Sequence, residues 1–399
     1  MYKICVIMGG VMPVPAACGG AIETLVTSIA KKYSPEDGYE LTICSVFDSK
    51  AVEEAANYPN VRFVWTHTRR LNYLFLHALF LAIRIATGKS IRPLQRHYNE
   101  ITKLFEKEKF DLILAEGGDL QAILDIAKGY KREQFVNHLH IHYLPSEDIA
   151  RGYGHVIGVS EFVTKEYLRV CDQPVKGHVL INGINAELFT KKVAERGKQK
   201  IRHKLGMKQD DFVILFVGRI MQIKGVLELI TAVLELQDPN IKLLIMGSAN
   251  SGKFTLSSYQ NKVKKLAEKN KDKILFTGYV RNDEVYRYAA AADIECLPSV
   301  CKEACPLTVL EGMCMGKPII ATRAGGVPEL LSEDAGIFVE QENLVENLKT
   351  AILYLKEHPE IREQKSKAAR KRGLQYSEER YYQNFVKLMK EIIHENQSE

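Results

Sequence analysis

The sequence predicts an α/β protein built from two doubly wound domains, each a parallel sheet with helices on both faces. Three observations carry that expectation. Short apolar runs of strand length alternate with helical stretches, and the alternation runs through the chain twice. At 399 residues the chain is too long for one ordinary core. A glycine-rich turn follows the first strand of each half.

In the first half, Lys3 to Met8 reads as a strand, Gly19 to Tyr33 as a helix and Glu40 to Phe47 as a strand. Val61 to Trp65, Asp111 to Ala115, Phe135 to His142 and His155 to Val159 follow as strands, with helices in the gaps. The second half repeats the scheme with Phe212 to Val217, Lys242 to Met246, Lys273 to Phe276, Asp293 to Leu297, Pro318 to Thr322 and Gly336 to Val339. The boundary is expected near Asn182 to Asn185, giving domains of residues 1–185 and 186–376. From Lys191 to Lys208 the chain is basic with a single acid, Glu195, which reads as a solvated connector and helix face, or else as an anionic-lipid contact.

Composition narrows the class. Hydrophobic content of 46% with 26% charged residues describes a soluble globular protein. Met1-Tyr2-Lys3 leads straight into a strand, so no signal peptide is expected, and no apolar run reaches the roughly 18 residues of a membrane span. Eight cysteines without a regular framework suit reduced thiols and a cytoplasmic location. The net charge of +6 is mild and demands no nucleic-acid partner.

The chemistry concentrates between Leu297 and Gly326. A strand ends at Leu297, a helix is expected from Pro306, and Glu303 and Glu311 bracket the junction with seven residues between them. Glu311 lies five residues beyond Pro306, roughly 7.5 Å along a helix axis. The free N–H groups of the helix's first turn and the positive end of its dipole form an anion site between the two acids. A nucleotide sugar has the matching layout: sugar hydroxyls for Glu303, diphosphate for the helix start, a ribose diol for Glu311. The plain alternative is a solvated helix with two surface acids. Upstream, Gly218-Arg219 through Lys224-Gly225 follows a strand and supplies two cations for a diphosphate. In the first half, Gly19 and Gly20 stand at a helix start, again a favoured anion position.

The pairing of Gly218-Arg219-x4-Lys224-Gly225 with Glu303-x7-Glu311 resembles the retaining, nucleotide-sugar-dependent glycosyltransferases of family 4. Gly19-Gly20, Asn182-Gly183-Ile184, Gly316-Lys317-Pro318 and Ala324 to Glu329 agree with it. The resemblance implies the GT-B architecture, two facing Rossmann-like domains with a cleft between them, donor on the second and acceptor on the first. It implies that Arg219 and Lys224 hold the diphosphate, Glu303 the transferred sugar and Glu311 the ribose, with backbone groups of Pro306, Leu307 and Thr308 completing the phosphate site. It also implies that a final helix, about 377–399, packs back on the first domain. The activity it implies is sugar transfer with retention, in bacterial-type surface glycan assembly, to a glycan or lipid-linked acceptor. With no Asp-x-Asp pair near a strand end, no metal is expected.

In that family a first-domain histidine often lies beside the reacting sugar. Here His138, His140 and His142 alternate, so a strand would put all three on one face, with His140 or His142 nearest its carboxyl end. Alternating histidines also suit zinc. Gly247 to Lys253 nearly spells a phosphate-binding P-loop, but Phe254 stands where a magnesium-binding hydroxyl is needed. Cys305, near a helix start, is expected to be the reactive thiol among Cys296, Cys301, Cys305 and Cys314. Leu71 to Ala86, flanked by Arg69, Arg70, Arg84, Lys89, Arg92 and Arg96, reads as a core helix or as an interfacial segment on an anionic membrane. Two other functional classes fit the same pattern: a nucleotide-sugar epimerase, and a non-catalytic sugar-nucleotide-binding protein.

Overall fold

The computed structural model describes residues 1–17, 19–67, 95–247, 257–278 and 280–397. The expected apolar helix 71–86 with Arg69, Arg70, Arg84, Lys89 and Arg92, and the P-loop-like stretch 248–254, lie outside the described residues. The chain divides into two compact units, Met1–Ile181 with Tyr381–Glu399, and Asn182–Arg380. The sequence expectation set the boundary four residues later, at 185.

The first unit is a seven-stranded parallel sheet. Its strands are β1 (Tyr2–Met8), β2 (Tyr39–Val46), β3 (Arg62–Thr66), β4 (Leu112–Glu116), β5 (Phe135–Leu139), β6 (His155–Gly158) and β7 (Lys176–Val179), in the order β3-β2-β1-β4-β5-β6-β7. Strands buried on both faces need continuous apolar sequence, and β1 and β4 are buried almost throughout. The order reverses between β1 and β4, where the loops after both strands pack backbone to backbone. A Cβ on Gly118 would lie 2.7 Å from Gly9 Cα, so a side chain there has no room. On one face the core of Ile4, Val6, Leu25 and Ile29 is completed by Tyr381, Phe385, Met389 and Ile392 of the helix Glu378–Gln397. That helix repeats apolar residues at three- and four-residue spacing, the pattern of a face laid on a sheet.

The second unit has six parallel strands: β8 (Phe212–Val217), β9 (Ile241–Met246), β10 (Ile274–Gly278), β11 (Ile294–Leu297), β12 (Ile319–Thr322) and β13 (Gly336–Val339), in the order β10-β9-β8-β11-β12-β13. Its order reverses between β8 and β11, so the loops after these two strands meet at the carboxyl edge, the usual ligand position in such sheets. Two expected bounds shift. The strand expected to reach His142 ends at Leu139, and the short polar edge strand β7 was not expected. The basic stretch forms the helix Glu195–Lys204, which buries no residue. Within it Arg202 is structural, donating to the carbonyls of Gln209, Asp211 and Ala291 and pairing with Asp293 at 3.0 Å.

Candidate active site

In the second unit, β8 runs into Gly218 and a turn that closes with a 3-10 segment, Gln222–Lys224. Gly225 follows at φ 66° and starts the helix Val226–Glu235. Only glycine fits here: a Cβ would fall 1.8 Å from the Pro298 carbonyl oxygen on the loop after β11. The Val300 N–H donates to the Ile223 carbonyl at 3.0 Å, joining the same two loops. A third segment locks on from the turn after β12. Gly326 N–H donates to the Glu303 carbonyl at 2.8 Å, and a Cβ on Gly325 would lie 2.1 Å from that oxygen. Three loops of the sheet are thereby fixed around residues 298–306.

This frame brings two of the expected residues into contact. Lys224 Nζ donates to Glu303 Oε1 at 2.6 Å, and the Ser299 hydroxyl donates to the same oxygen. Ser299 is itself held through its carbonyl, which accepts from Thr322 Oγ1 at 2.7 Å and from Gln341 Nε2 at 3.1 Å. Glu303 is therefore a buried carboxylate in a fixed rotamer rather than a surface acid. Arg219, by contrast, is exposed at the end of β8 and pairs with no described residue.

The expected helix is present as Leu307–Cys314, with Pro306 as its cap residue at ψ 113° and no side chain capping it. Proline sits one position earlier than expected, outside the first turn. The N–H groups of Leu307 and Thr308 remain for a ligand. Glu311 is also buried and has no hydrogen-bond partner among the described residues. Burial pushes its carboxyl up to about 8, so at neutral pH it is largely protonated. The reading of Glu303 and Glu311 as two solvated acids fails on burial alone.

A second buried acid beneath this helix escaped the sequence reading. Glu295, on β11, is held well above the carboxylate range by burial first and by Glu311 second, and its Oε2 has no partner among the described residues. Gly312 makes room for it, since a Cβ there would lie 2.3 Å from Glu295 Oε2. In the sequence, Ile-Glu-Cys-Leu carried no signal beyond one acid in an apolar strand. Lys317 is half-buried beside them and lowered to about 8 by desolvation, its ammonium donating to the Ala292 carbonyl.

The expectation for Cys305 is overturned. Its thiol is buried and pushed up to about 12, so desolvation outweighs the nearby helix start and leaves it inert.

In the first unit, Gly20 caps the helix Ala21–Lys32 at φ 106°. The expected anion position is shared with an acid of the chain itself, because a Cβ on Gly20 would lie 2.0 Å from Glu23 Oε2. The three histidines do not share one face. His138 Nδ1 lies 2.9 Å from Glu116 Oε1 and His140 Nε2 lies 2.5 Å from Glu116 Oε2. His142 lies beyond the strand end and instead faces Glu166 at 3.4 Å. Glu116, on β4, was missed from sequence, though an acid closing an apolar strand beside a glycine pair is a readable signal. Its carboxyl is held far below the usual range by the two imidazoles, against the opposing effect of burial, and burial lowers His140. The three groups lie close enough to share a metal ion. His138 Nε2 is buried without a partner among the described residues, however, whereas an imidazole ligand normally donates its second N–H to an acceptor. The set fits a carboxylate held between two imidazoles better than it fits zinc.

Two doubly wound parallel sheets, with an uncapped helix and locked acids at the carboxyl edge of the second, define the class: a Rossmann-like fold of the GT-B glycosyltransferase kind. Residues 197–372, within the second unit, match the family model described as glycosyl transferases group 1. An uncharacterised glycosyltransferase of Methanocaldococcus jannaschii is 32% identical over 192 residues, 47% of each chain, so the present chain spans about half the length of that relative. The lipopolysaccharide 1,2-N-acetylglucosaminetransferase of Salmonella typhimurium is 22% identical over 97% of this chain and 98% of its own. Among solved structures, Anabaena HepE in complex with UDP and glucose has a TM-score of 0.73 at 20% identity, covering 98% of this chain and 100% of that one. At that identity the likeness is one of fold.

Proposed function

We propose that the chain transfers a sugar from a nucleotide-diphospho-sugar, of the UDP-sugar type, to a glycan or lipid-linked acceptor in cell-surface polysaccharide assembly, with retention of configuration. The observation that carries this reading is the Lys224–Glu303–Ser299 contact set beside the uncapped start of the helix Leu307–Cys314. A relative that makes lipopolysaccharide and a structural neighbour that binds UDP and glucose support the substrate classes.

The division of labour follows from the chemistry. The bond between the anomeric carbon and the phosphate oxygen breaks, and its electron pair leaves with the nucleoside diphosphate. The acceptor hydroxyl oxygen bonds to the anomeric carbon from the same face and gives its proton to the departing phosphate. Positive charge grows on the sugar and negative charge on the diphosphate. Arg219, Lys224 and the N–H groups of Leu307 and Thr308 meet the second, and donors fixed in advance in this way usually contribute more to the rate than any other device. Glu303 accepts from the sugar hydroxyls through Oε2, since both of its donors hold Oε1. Glu311 meets the ribose diol, and Gly218 lets the backbone approach the nucleotide. On the acceptor side, His140 is the buried imidazole fixed by Glu116, and His142 is the half-buried one beyond the strand. No metal is called on for the transfer step. We assign the chain to the cytoplasm, at the inner face of the plasma membrane where a lipid-linked acceptor is offered. None of the described helices is long and apolar enough to cross a membrane.

A thermal-shift series with nucleosides, mono- and diphosphates and sugar nucleotides tests the reading. Pyrophosphate-bearing forms should shift the melting temperature most, and a ligand at a hundredfold over Kd adds about 2.7 kcal/mol. Lys224→Ala should abolish that shift, and equal stabilisation of the variant would count against the assignment. Slow release of free nucleotide from a sugar nucleotide without acceptor marks a transferase; an epimerised sugar nucleotide would mark an isomerase, and no turnover a binding protein.

A further inference from the structure

A second histidine–carboxylate cluster lies away from the Glu116 set, at the edge of the first unit's sheet. His155 on β6, His178 on the edge strand β7 and Glu395 on the helix Glu378–Gln397 place one ligand atom each within 4.8 Å of the others. His155 Nδ1 and His178 Nε2 are 3.0 Å apart. Two ligands about 2.0–2.1 Å from one tetrahedral ion stand roughly 3.3 Å apart, so the pair needs little adjustment to hold one.

The hydrogen bonds behind His155 decide its tautomer. Asn396 Nδ2 faces the Glu133 carbonyl at 2.6 Å, and a carbonyl only accepts, so this end of the amide must be the NH2. Asn396 Oδ1 is therefore the end facing His155 Nε2, at 2.9 Å, and Nε2 carries the proton. In the neutral ring the lone pair then lies on Nδ1, aimed at His178. This is the arrangement a metal-bound imidazole requires, with its second nitrogen donating to a fixed oxygen. The Glu116 set lacks it, because His138 Nε2 is buried with no acceptor among the described residues.

The remaining groups favour a cation. Glu395 Oε2 is buried and accepts no hydrogen bond among the described residues, and its nearest cation, Lys176, is 3.5 Å away and half-exposed. An ion at this point would take over the carboxylate from Lys176.

We infer that His155, His178 and Glu395 form a zinc-class structural metal site that staples the end of the C-terminal helix to the edge strands of the first sheet. Two imidazoles and one carboxylate select a borderline divalent ion such as zinc over calcium or magnesium, which prefer oxygen ligands alone. The fourth position would be water. The ion has no part in sugar transfer; it fixes the helix whose residues complete the first unit's core.

The test uses the full chain, stripped with chelator and dialysed against zinc or cobalt(II). One equivalent should be retained, with the visible absorption of tetrahedral cobalt. Amide exchange over residues 388–397 should slow at least tenfold on adding zinc. His178→Gln, checked for folding by circular dichroism, should lose the ion and the slowing. His140→Gln should keep both. No stoichiometric uptake by the parent would overturn the assignment. So would undiminished uptake by His178→Gln, and so would uptake lost in His140→Gln alone.

Discussion

Replacing Glu311 by Gln should make the second unit more stable, and increasingly so as the pH rises. In the folded chain the Glu311 carboxyl is buried, has no hydrogen-bond partner among the described residues, and titrates at about 8 rather than at its ordinary 4.5. A carboxyl raised in this way keeps its proton in the folded state over a range in which the unfolded chain has lost it. The parent therefore loses stability as the pH climbs from the carboxylate range towards 8, and the glutamine variant does not. Each pH unit inside that window is about 1.4 kcal/mol, so the step from pH 5.5 to 7.5 gives an upper limit of about 2.7 kcal/mol. Water reaching the site in the absence of ligand trims this, and we expect a difference of about 2 kcal/mol. For a unit of this size that is roughly 4–8 °C in midpoint. Differential scanning calorimetry of parent and variant at the two pH values reads it directly, because the transition displaced by the substitution is that of the second unit. Nucleotide binding should change in the opposite direction. The variant cannot offer a carboxylate to the ribose diol, so its affinity should be lower and less dependent on pH. A midpoint gap that is the same at pH 5.5 and 7.5 would refute the claim that Glu311 is held protonated.

Gly312→Ala should destabilise the second unit by about 1–3 kcal/mol, because its Cβ would meet Glu295 Oε2; adding Glu295→Ala should recover most of that loss in urea unfolding. Cys305 should resist a thiol reagent at pH 7.5 in the folded protein, with the part-buried Cys171 and Cys301 modified before it, as peptide mass mapping would show. Gly225→Ala should cost more stability than Gly206→Ala although both sit at positive φ, since only Gly225 has a carbonyl oxygen in the way, and it should also weaken nucleotide binding.

The strands that could be read from sequence were those buried on both faces. Phe212–Val217 and Ile241–Met246 are nearly unbroken apolar runs, and burial on both sides leaves no other composition open. The edge strand Lys176–Val179 is short, polar and only half-buried, so its sequence resembles a loop. Histidines 138, 140 and 142 show where a local rule stops. Period two holds only while the strand lasts, and β5 ends at Leu139. Glu303 and Lys224 were legible because they flank glycine and proline turns whose geometry is local. Glu295 was not, because what makes it notable is burial against elements far along the chain, whereas Glu116, closing an apolar strand before two glycines, was readable and missed. Cys305 failed for the same reason: its place near a helix start is local, but the desolvation that dominates it is not.

The first unit is assembled from two pieces of chain separated by about two hundred residues, with Phe385, Met389 and Ile392 filling the floor of a sheet laid down at the start. At about 5–20 residues per second, a ribosome needs roughly 10–40 s to make the intervening segment. For that interval the emerging amino-terminal half carries an open apolar face, whereas the following half has all of its own strands as soon as that segment is made. The carboxyl-terminal half should thus be native first in the cell, and the earlier-made half should be the one that depends on a chaperone.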